Sequence, residues 1–450
     1  VQFHALSLAS KSTFAKLRQT VYDGGAGLKG HVMSLELLKK DVCAAVDAMR
    51  EELLGLSHAI HAEPELALEE FLAAARLADT VESHEIKVQR EAFGLQTAYA
   101  AEFGKASGPN IAILSEYDAL PGIGHSCGHN IIATSGLGAA LALAKLNDRL
   151  PGRVRYLGTP AEERFGGKEI MARQGAFEGC DAAMMIHPSN LNLVTMPCIA
   201  IAEVEAVYHG KSAHASAMPY RGLNALDAVI TAYQSIAQLR QHIRNTERIH
   251  GIITDGGLAP NIVPERAACR FYVRGADAHE LAPLKRRVQA CFEAGALATG
   301  CRLEVTWGDT DYLDMKTNWP MADLYEKNAA ALGREFFAVK ELPPGYAGST
   351  DMGNVSHRVP SIHPMLGVAP AGVIIHNPEF ARYAASETGD AAVIDGAKSL
   401  AMTALDLMAD PRAMAEARAD FAATEELSKG ALAKSREPIL HDHSVGCGCA

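Results

Sequence analysis

This sequence predicts an α/β fold, a layered sheet covered by helices, with a smaller α+β unit inserted into it. Three observations predict it. Short apolar strands alternate with helical stretches up to about residue 197. Near Cys198 the pattern changes to a β-α-β-β-α-β run, the order of a ferredoxin-like sandwich. Helices then return and continue into the C-terminal region.

From Ser34 to Val81 apolar residues recur at helical spacing, broken by a turn at His61-Ala62-Glu63-Pro64-Glu65-Leu66. Residues 96 to 103, 110 to 115 and 153 to 158 read as strands, and 131 to 147 as a buried Ala/Leu-rich helix. Another strand ends at Ile186-His187-Pro188. In the inserted unit, Ile199 to Tyr208 alternates Ala/Val with Glu as a half-buried strand does. A helix over 224 to 241, strands at 250 to 254 and 266 to 274, a helix over 279 to 295 and a strand at 301 to 307 complete it. Beyond lie helices over 319 to 332, 388 to 408 and 411 to 428, a glycine-rich loop from Gly345 to Asn354, and a strand ending at Val373-Ile374-Ile375-His376.

A chain of 450 residues exceeds one ordinary core, so two domains are expected. The net charge of −11 speaks against nucleic acid, because no basic excess is available to displace counterions from phosphates. Small solutes are the better partners. Nine scattered cysteines, an odd number, do not form a disulfide framework and suggest a reducing, cytoplasmic setting. No apolar run reaches the length of a membrane span. Residues 1–32 lack the apolar core of a secretory signal, and Met33 is a candidate start that would make them an extension.

The chemistry gathers at strand ends, the usual place for ligands in open α/β sheets. After the strand at 110 to 115 comes Gly124-His125-Ser126-Cys127-Gly128-His129-Asn130, where Cys127 and His129 are spaced to face one cation. After the strand at 153 to 158 comes Thr159-Pro160-Ala161-Glu162-Glu163; one carboxylate of such a pair can ligate a cation while its neighbour takes a proton from water. Two further strand ends supply His187 and His376. Cys127, His129, Glu163, His187 and His376 make five donors, more than one tetrahedral zinc uses, so two metals are the economical inference. A water held between such a pair loses its proton near neutral pH and attacks a carbonyl.

These motifs resemble the aminoacylase and glutamate carboxypeptidase superfamily of dimetal hydrolases, in its amidohydrolase branch. The resemblance covers about residues 35 to 410. It rests on His61 through Glu70, Asp118 through Pro121, His125 through Asn130, Pro160 through Glu163, His209 through Ala215, Pro260 through Pro264 and Gly348 through Asn354. It implies a mixed-sheet catalytic domain over 33–197 and 309–430, an inserted ferredoxin-like lid over 198–308, and a tail over 431–450. It implies Cys127, His129, Glu163, His187 and His376 as ligands of two divalent ions (zinc, manganese, cobalt or nickel, with zinc or manganese favoured) and Glu162 as general base. It further implies His214 as the lid histidine that polarises the scissile carbonyl, in some relatives across a dimer. Asn261 and Arg274 would bind the substrate carboxylate or nearby polar groups, and a homodimer through the lid is expected. Asn130 departs from many relatives, which carry Asp there, and an acid at that point would orient a ligand. With the Gly348-to-Ser356 stretch, it makes the chain most similar to the p-aminobenzoyl-glutamate hydrolase and β-alanyl-lysine dipeptidase subgroup. The glycines would let that loop approach a ligand closely, Gly348 among them, with Ser349 and Thr350 supplying hydrogen bonds.

The activity so implied is hydrolysis of the amide of an N-acyl amino acid or dipeptide-like small molecule. The alternative is a catalytically silent metal-binding or regulatory protein on the same fold, against which the complete set of Glu162 and five ligands speaks. A zinc deaminase would need His-x-Glu followed by Cys-x-x-Cys, and the tail offers only Cys447-Gly448-Cys449. A Cys-x-Cys at a chain end can bind metal adventitiously or oxidise, and no catalysis is assigned to it.

Overall fold

The computed structural model describes residues 27–343 and 346–437, with side chains from residue 35 onward. Gly345, the Cys-x-Cys tail and residues 1–26 of the expected extension lie outside the described residues. The first helical stretch forms three helices, Gly27–Ala48, Arg50–Ala62 and Phe71–Ser83. Pro64 falls in the loop after the second, while the first begins at Gly27, ahead of the expected Ser34. Leu53, Ser57 and Ile60 are the buried stripe of the second helix, at spacings of four and three.

Six strands make the main sheet: β1 (Val88–Arg90), β2 (Tyr99–Gly104), β3 (Asn110–Ser115), β4 (Arg153–Gly158), β5 (Ala182–Met184) and the late β11 (Ser361–Ile362), in the order β1-β2-β4-β3-β5-β11. β3 runs parallel to β4 and β5, and β11 parallel to β5, while β1 and β2 are antiparallel. All six residues of β3 are buried, as suits a parallel strand covered on both faces. One covering helix, His129–Ala144, is apolar almost all round because it lies between the sheet and the helix Glu387–Ala409. It approaches β3 at Gly136, where a Cβ would fall 2.4 Å from Ser115 Oγ and 2.6 Å from the Leu114 carbonyl oxygen. After β5 the chain leaves the sheet to form β6 (His187–Ser189), which pairs in parallel with β12 (Met365–Gly367).

The inserted unit is β7 (Ala200–His209), helix Ala225–Leu239, β8 (Arg248–Asp255), β9 (Arg266–Gly275), helix Ala278–Thr299 and β10 (Arg302–Trp307). Its antiparallel sheet has the order β10-β7-β9-β8, as the ferredoxin-like reading requires. Both helices are capped as their sequences suggest. The Asn224 side chain accepts from the Leu226 and Asp227 amides, and that of Asp277 from Glu280. Val204, Tyr208, Ile236, Phe271 and Phe292 belong to a core separate from the one under the main sheet.

Two expected elements differ. Residues 373–375 are not a strand: 373 and 374 are irregular between two turns, and the Val373 amide bonds back to the Pro370 carbonyl. The single C-terminal helix is two, Pro411–Ala422 and Glu425–Lys434. Lys316 Nζ donates to the Phe421 carbonyl and to Ser428 Oγ at the break, and Ala431 then packs with Ala278 and Leu313.

Candidate metal centre

The strand ends converge. Cys127 sits in the loop before helix His129–Ala144, and Gly128 between the two donors adopts φ +78°, where a Cβ would meet the Pro188 ring at 2.5 Å. This glycine lets the loop press against the strand that carries His187. Cys127 Sγ lies 3.4 Å from His187 Nε2. His187 Nδ1 is 2.6 Å from the Pro188 carbonyl, so it carries the proton and leaves the Nε2 lone pair facing the thiol. His129 Nε2 lies 3.7 Å from Glu163 Oε1, and Glu163 Oε1 lies 3.5 Å from His376 Nε2. His376, at φ +62°, is held in place by its amide, which donates to the Ser126 carbonyl.

Two groups of three donors result, each with ligand atoms within 4.8 Å of one another: Cys127, His129 and His187, and Cys127, Glu163 and His376. Cys127 is common to both. Glu116, His129 and Glu162 form a third such group. His129 Nε2, Glu163 Oε1 and Glu116 Oε1 are buried without a hydrogen bond. Buried orphan atoms are costly, and orphans of this chemistry at one point fit cations.

Several residues that sequence reasoning did not assign hold the donors. Asp118 Oδ1 lies 3.3 Å from His129 Nδ1, and its Oδ2 accepts from the Glu163 amide at 2.9 Å, so one carboxylate orients a donor of each main group. Glu70 is fully buried and accepts from the Ala161 amide at 2.8 Å and the Thr97 hydroxyl at 3.0 Å. Ala161 has φ +63°, a left-handed backbone that sets the direction of Glu162 and Glu163. Lys168 Nζ donates to Glu116 and to Asp351, all three fully buried. The two-residue spacing of Glu116 and Asp118 after a buried strand was the available signal for that pair. Lys168 and Asp351 are 183 positions apart and gave none.

The electrostatics separate the two neighbouring acids. Burial, then Glu116, Glu163 and Asp351, raises the Glu162 carboxyl well above the usual range. Burial also opposes ionisation of Glu163, but the neighbouring His376 and His129 overcome it and hold the carboxyl below its ordinary value. For Glu116 the burial penalty is outweighed by Lys168 and His129, leaving it at about 2. Burial pushes the Cys127 thiol up and His187 down to about 4.

A cavity of about 980 Å³ opens from Cys127, Glu162, Glu163, His187 and His376 onto the exposed face of the inserted sheet. Arg274, Gly348, Ser349 and Thr350 line it together, with Arg274 Nη1 donating to Ser349 Oγ at 3.1 Å. Thr350 Oγ1 is engaged with the Met352 amide. His214 and Asn261 are not in this wall. Both are exposed on the inserted unit, side by side, with the Ala215 amide donating to the Asn261 carbonyl and His214 Nδ1 accepting from the Ser216 and Ala217 amides. Asn130 does not reach a donor either. Its amide nitrogen donates to Ser57 Oγ and the Ala384 carbonyl, each at 2.9 Å, so it ties three helices together.

The model of "Peptidase family M20/M25/M40" matches residues 112–405. The Xaa-Arg dipeptidase of Mus musculus is 40% identical over 400 residues, covering 86% of this chain and 93% of that protein. A p-aminobenzoyl-glutamate hydrolase chain of Escherichia coli is 28% identical over 438 residues, 81% of this chain and 91% of its own. Among solved structures, a dinuclear metal-binding M20 peptidase of Bacillus subtilis superposes with a TM-score of 0.60 at 21% identity, over 80% of this chain and 99% of its own. An aminobenzoyl-glutamate utilization protein of Klebsiella pneumoniae gives 0.64 at 18%, over 80% and 97%.

Proposed function

This chain belongs to peptidase family M20/M25/M40, and we propose that it hydrolyses the amide bond of a dipeptide, or of an N-acyl amino acid, at the cavity described above. The observation that carries the proposal is the two donor groups sharing Cys127, beside a buried carboxylate, Glu162, that belongs to neither. The Xaa-Arg dipeptides named for relatives of about 40% identity are the first candidate substrates.

Cys127, His129 and His187 would hold one divalent ion, and Cys127, Glu163 and His376 the other. Two such ions supply Lewis acidity toward a carbonyl and acidify water. Glu162 takes a proton from the attacking water at a carboxylate oxygen and hands it to the departing amine. Its burial among Glu116, Glu163 and Asp351 raises its affinity for a proton, which suits the taking of one from water. Arg274, Ser349 and Thr350 would orient the substrate's carboxylate end, the guanidinium by its planar fork. Residues 198–308 would serve as the lid that excludes water.

His214 and Asn261 would serve a neighbouring copy, since both are exposed on the lid and outside the cavity of their own chain. Glu162→Gln should abolish turnover of alanyl-arginine with bound zinc or manganese retained by elemental analysis; substantial remaining activity would refute the assignment. Mixing inactive Glu162→Gln and His214→Ala chains should restore activity, because a mixed dimer contains one complete site. No recovery would refute the shared site.

A further inference from the structure

The wall of the cavity opposite the metal donors is the exposed face of the lid sheet, and its residues alternate as a strand dictates. On β7, Ala202, Val204 and Ala206 point into the lid core, while Ile201, Glu203 and Glu205 face the cavity. On β9, Phe271 and Val273 point inward and Arg270, Tyr272 and Arg274 face the cavity. The register pairs Ile201 with Arg274, Glu203 with Tyr272 and Glu205 with Arg270.

Charge in this wall balances only while Arg274 is free. Arg270 lies between the two acids, with Nε 3.3 Å from Glu203 Oε1 and Nη2 3.8 Å from Glu205 Oε1. Two carboxylates therefore share one guanidinium. Apart from Glu162, Glu163 and Arg274, the other charged residues lining the cavity are Arg164 and Asp309, of opposite sign. Once Arg274 has taken the carboxylate of a substrate, the wall retains one uncompensated negative charge. Its place is set by the register: Glu203 stands two residues along the sheet from the Arg274 row, roughly 6.6 Å at the rise of an extended strand. The long flexible stem of a lysine or arginine can span such an interval from its own carboxylate.

We propose that Glu203 and Glu205 are specificity-determining residues that receive the cationic side chain of a dipeptide's C-terminal residue, with Arg270 as a competing internal cation that tempers their charge. The proposal rests on the hydrolase reading above. It makes Arg274 and the Glu203/Glu205 pair two ends of one recognition element, reading a carboxylate and a cation a fixed distance apart.

The test is the ratio of kcat/KM for alanyl-lysine to that for alanyl-methionine, two substrates of similar length that differ in charge. In the metal-loaded wild-type enzyme the ratio should exceed one by about tenfold or more, as for charge-assisted hydrogen bonds at a partly exposed site. Glu203→Gln and Glu205→Gln should each lower it by about tenfold. Arg270→Gln should raise it, because both carboxylates become free. These half-exposed positions carry polar replacements without touching the lid core. A ratio unmoved in all three variants, or moved in one direction by all three, overturns the assignment. Wild-type enzyme that cleaves both dipeptides equally overturns it while leaving the hydrolase intact, whereas folded, metal-loaded enzyme that cleaves no dipeptide or N-acyl amino acid overturns both.

Discussion

At the residue scale the site is a set of donors held by a second set of acids. Asp118 contacts both His129 Nδ1 and the Glu163 amide, so its loss should loosen a ligand of each proposed metal position at once. Asp118→Ala is expected to weaken metal binding by about 10- to 100-fold, measured by competition with a chromogenic zinc chelator. Unchanged affinity would show that packing alone orients these donors. Glu70 offers a cleaner electrostatic test, since it touches Ala161 and Thr97 rather than a donor. Burial, with the neighbouring Asp118 charge, raises it from 4.5 to about 7. A carboxyl raised in the folded state contributes most below its unfolded value and loses that contribution as pH rises through the folded one. The stability of Glu70→Gln relative to wild type should therefore increase by about 3 kcal/mol between pH 4.5 and pH 8, read from urea denaturation at each pH. A pH-independent difference would mean Glu70 is not held in its neutral form by the fold.

At the scale of elements, the register of helix His129–Ala144 on β3 decides whether His129 meets its partners. Gly136 permits that register, since a methyl group there would meet both Ser115 Oγ and the Leu114 carbonyl. Gly136→Ala is expected to cost about 1–3 kcal/mol by overpacking and to lower kcat, because the helix must lift at the end that carries His129. Full activity with lowered stability would show the helix shifting without moving its first turn. The elements themselves were largely legible in the sequence. β3 and β4 occupy the expected residues, β3 because an apolar run is followed by a turn and β4 because Val154 and Tyr156 alternate with Arg153 and Arg155. The lid strands were legible because Glu203 and Glu205 alternate with small apolar residues. Where expectation failed, the signal was of the wrong kind. Val373-Ile374-Ile375 has strand propensity, but the Val373 amide closes back on Pro370 and the His376 amide is taken by Ser126, and the Ala-rich stretch after 411 has helix propensity throughout, but Lys316 from a distant segment takes a carbonyl at its middle.

At the scale of the whole molecule, the described residues form two large hydrophobic cores and a small third cluster, and every proposed metal donor belongs to the larger unit. Ligand that binds only the folded state adds stability in proportion to the logarithm of its excess, about 2.7 kcal/mol at a hundredfold excess over Kd. Chelation should thus lower the thermal transition of the larger unit and leave that of the lid in place, as two separable peaks in calorimetry. A single peak that moves as a whole would mean the two cores unfold as one. Among the described residues no helix is long and apolar enough to cross a membrane, and the seven described cysteines are free thiols.

The sequence by itself determined the layered α/β class and the inserted β-α-β-β-α-β unit, because periodicity is a local property, and its strand ends pointed to the proposed donors. Cys127, His129, Glu162, Glu163, His187 and His376 were expected in one site because each follows a strand or an expected strand. Only the tertiary structure decided the supports and the company each residue keeps. It brought Glu70 beneath Ala161 and Asp351 onto Lys168, and it turned Asn130 toward Ser57 and Ala384 rather than a ligand. It also set His214 and Asn261 outside the cavity of their own chain. Such contacts join residues tens to hundreds of positions apart, and their energy depends on burial and on charges supplied by other segments, which no local pattern encodes.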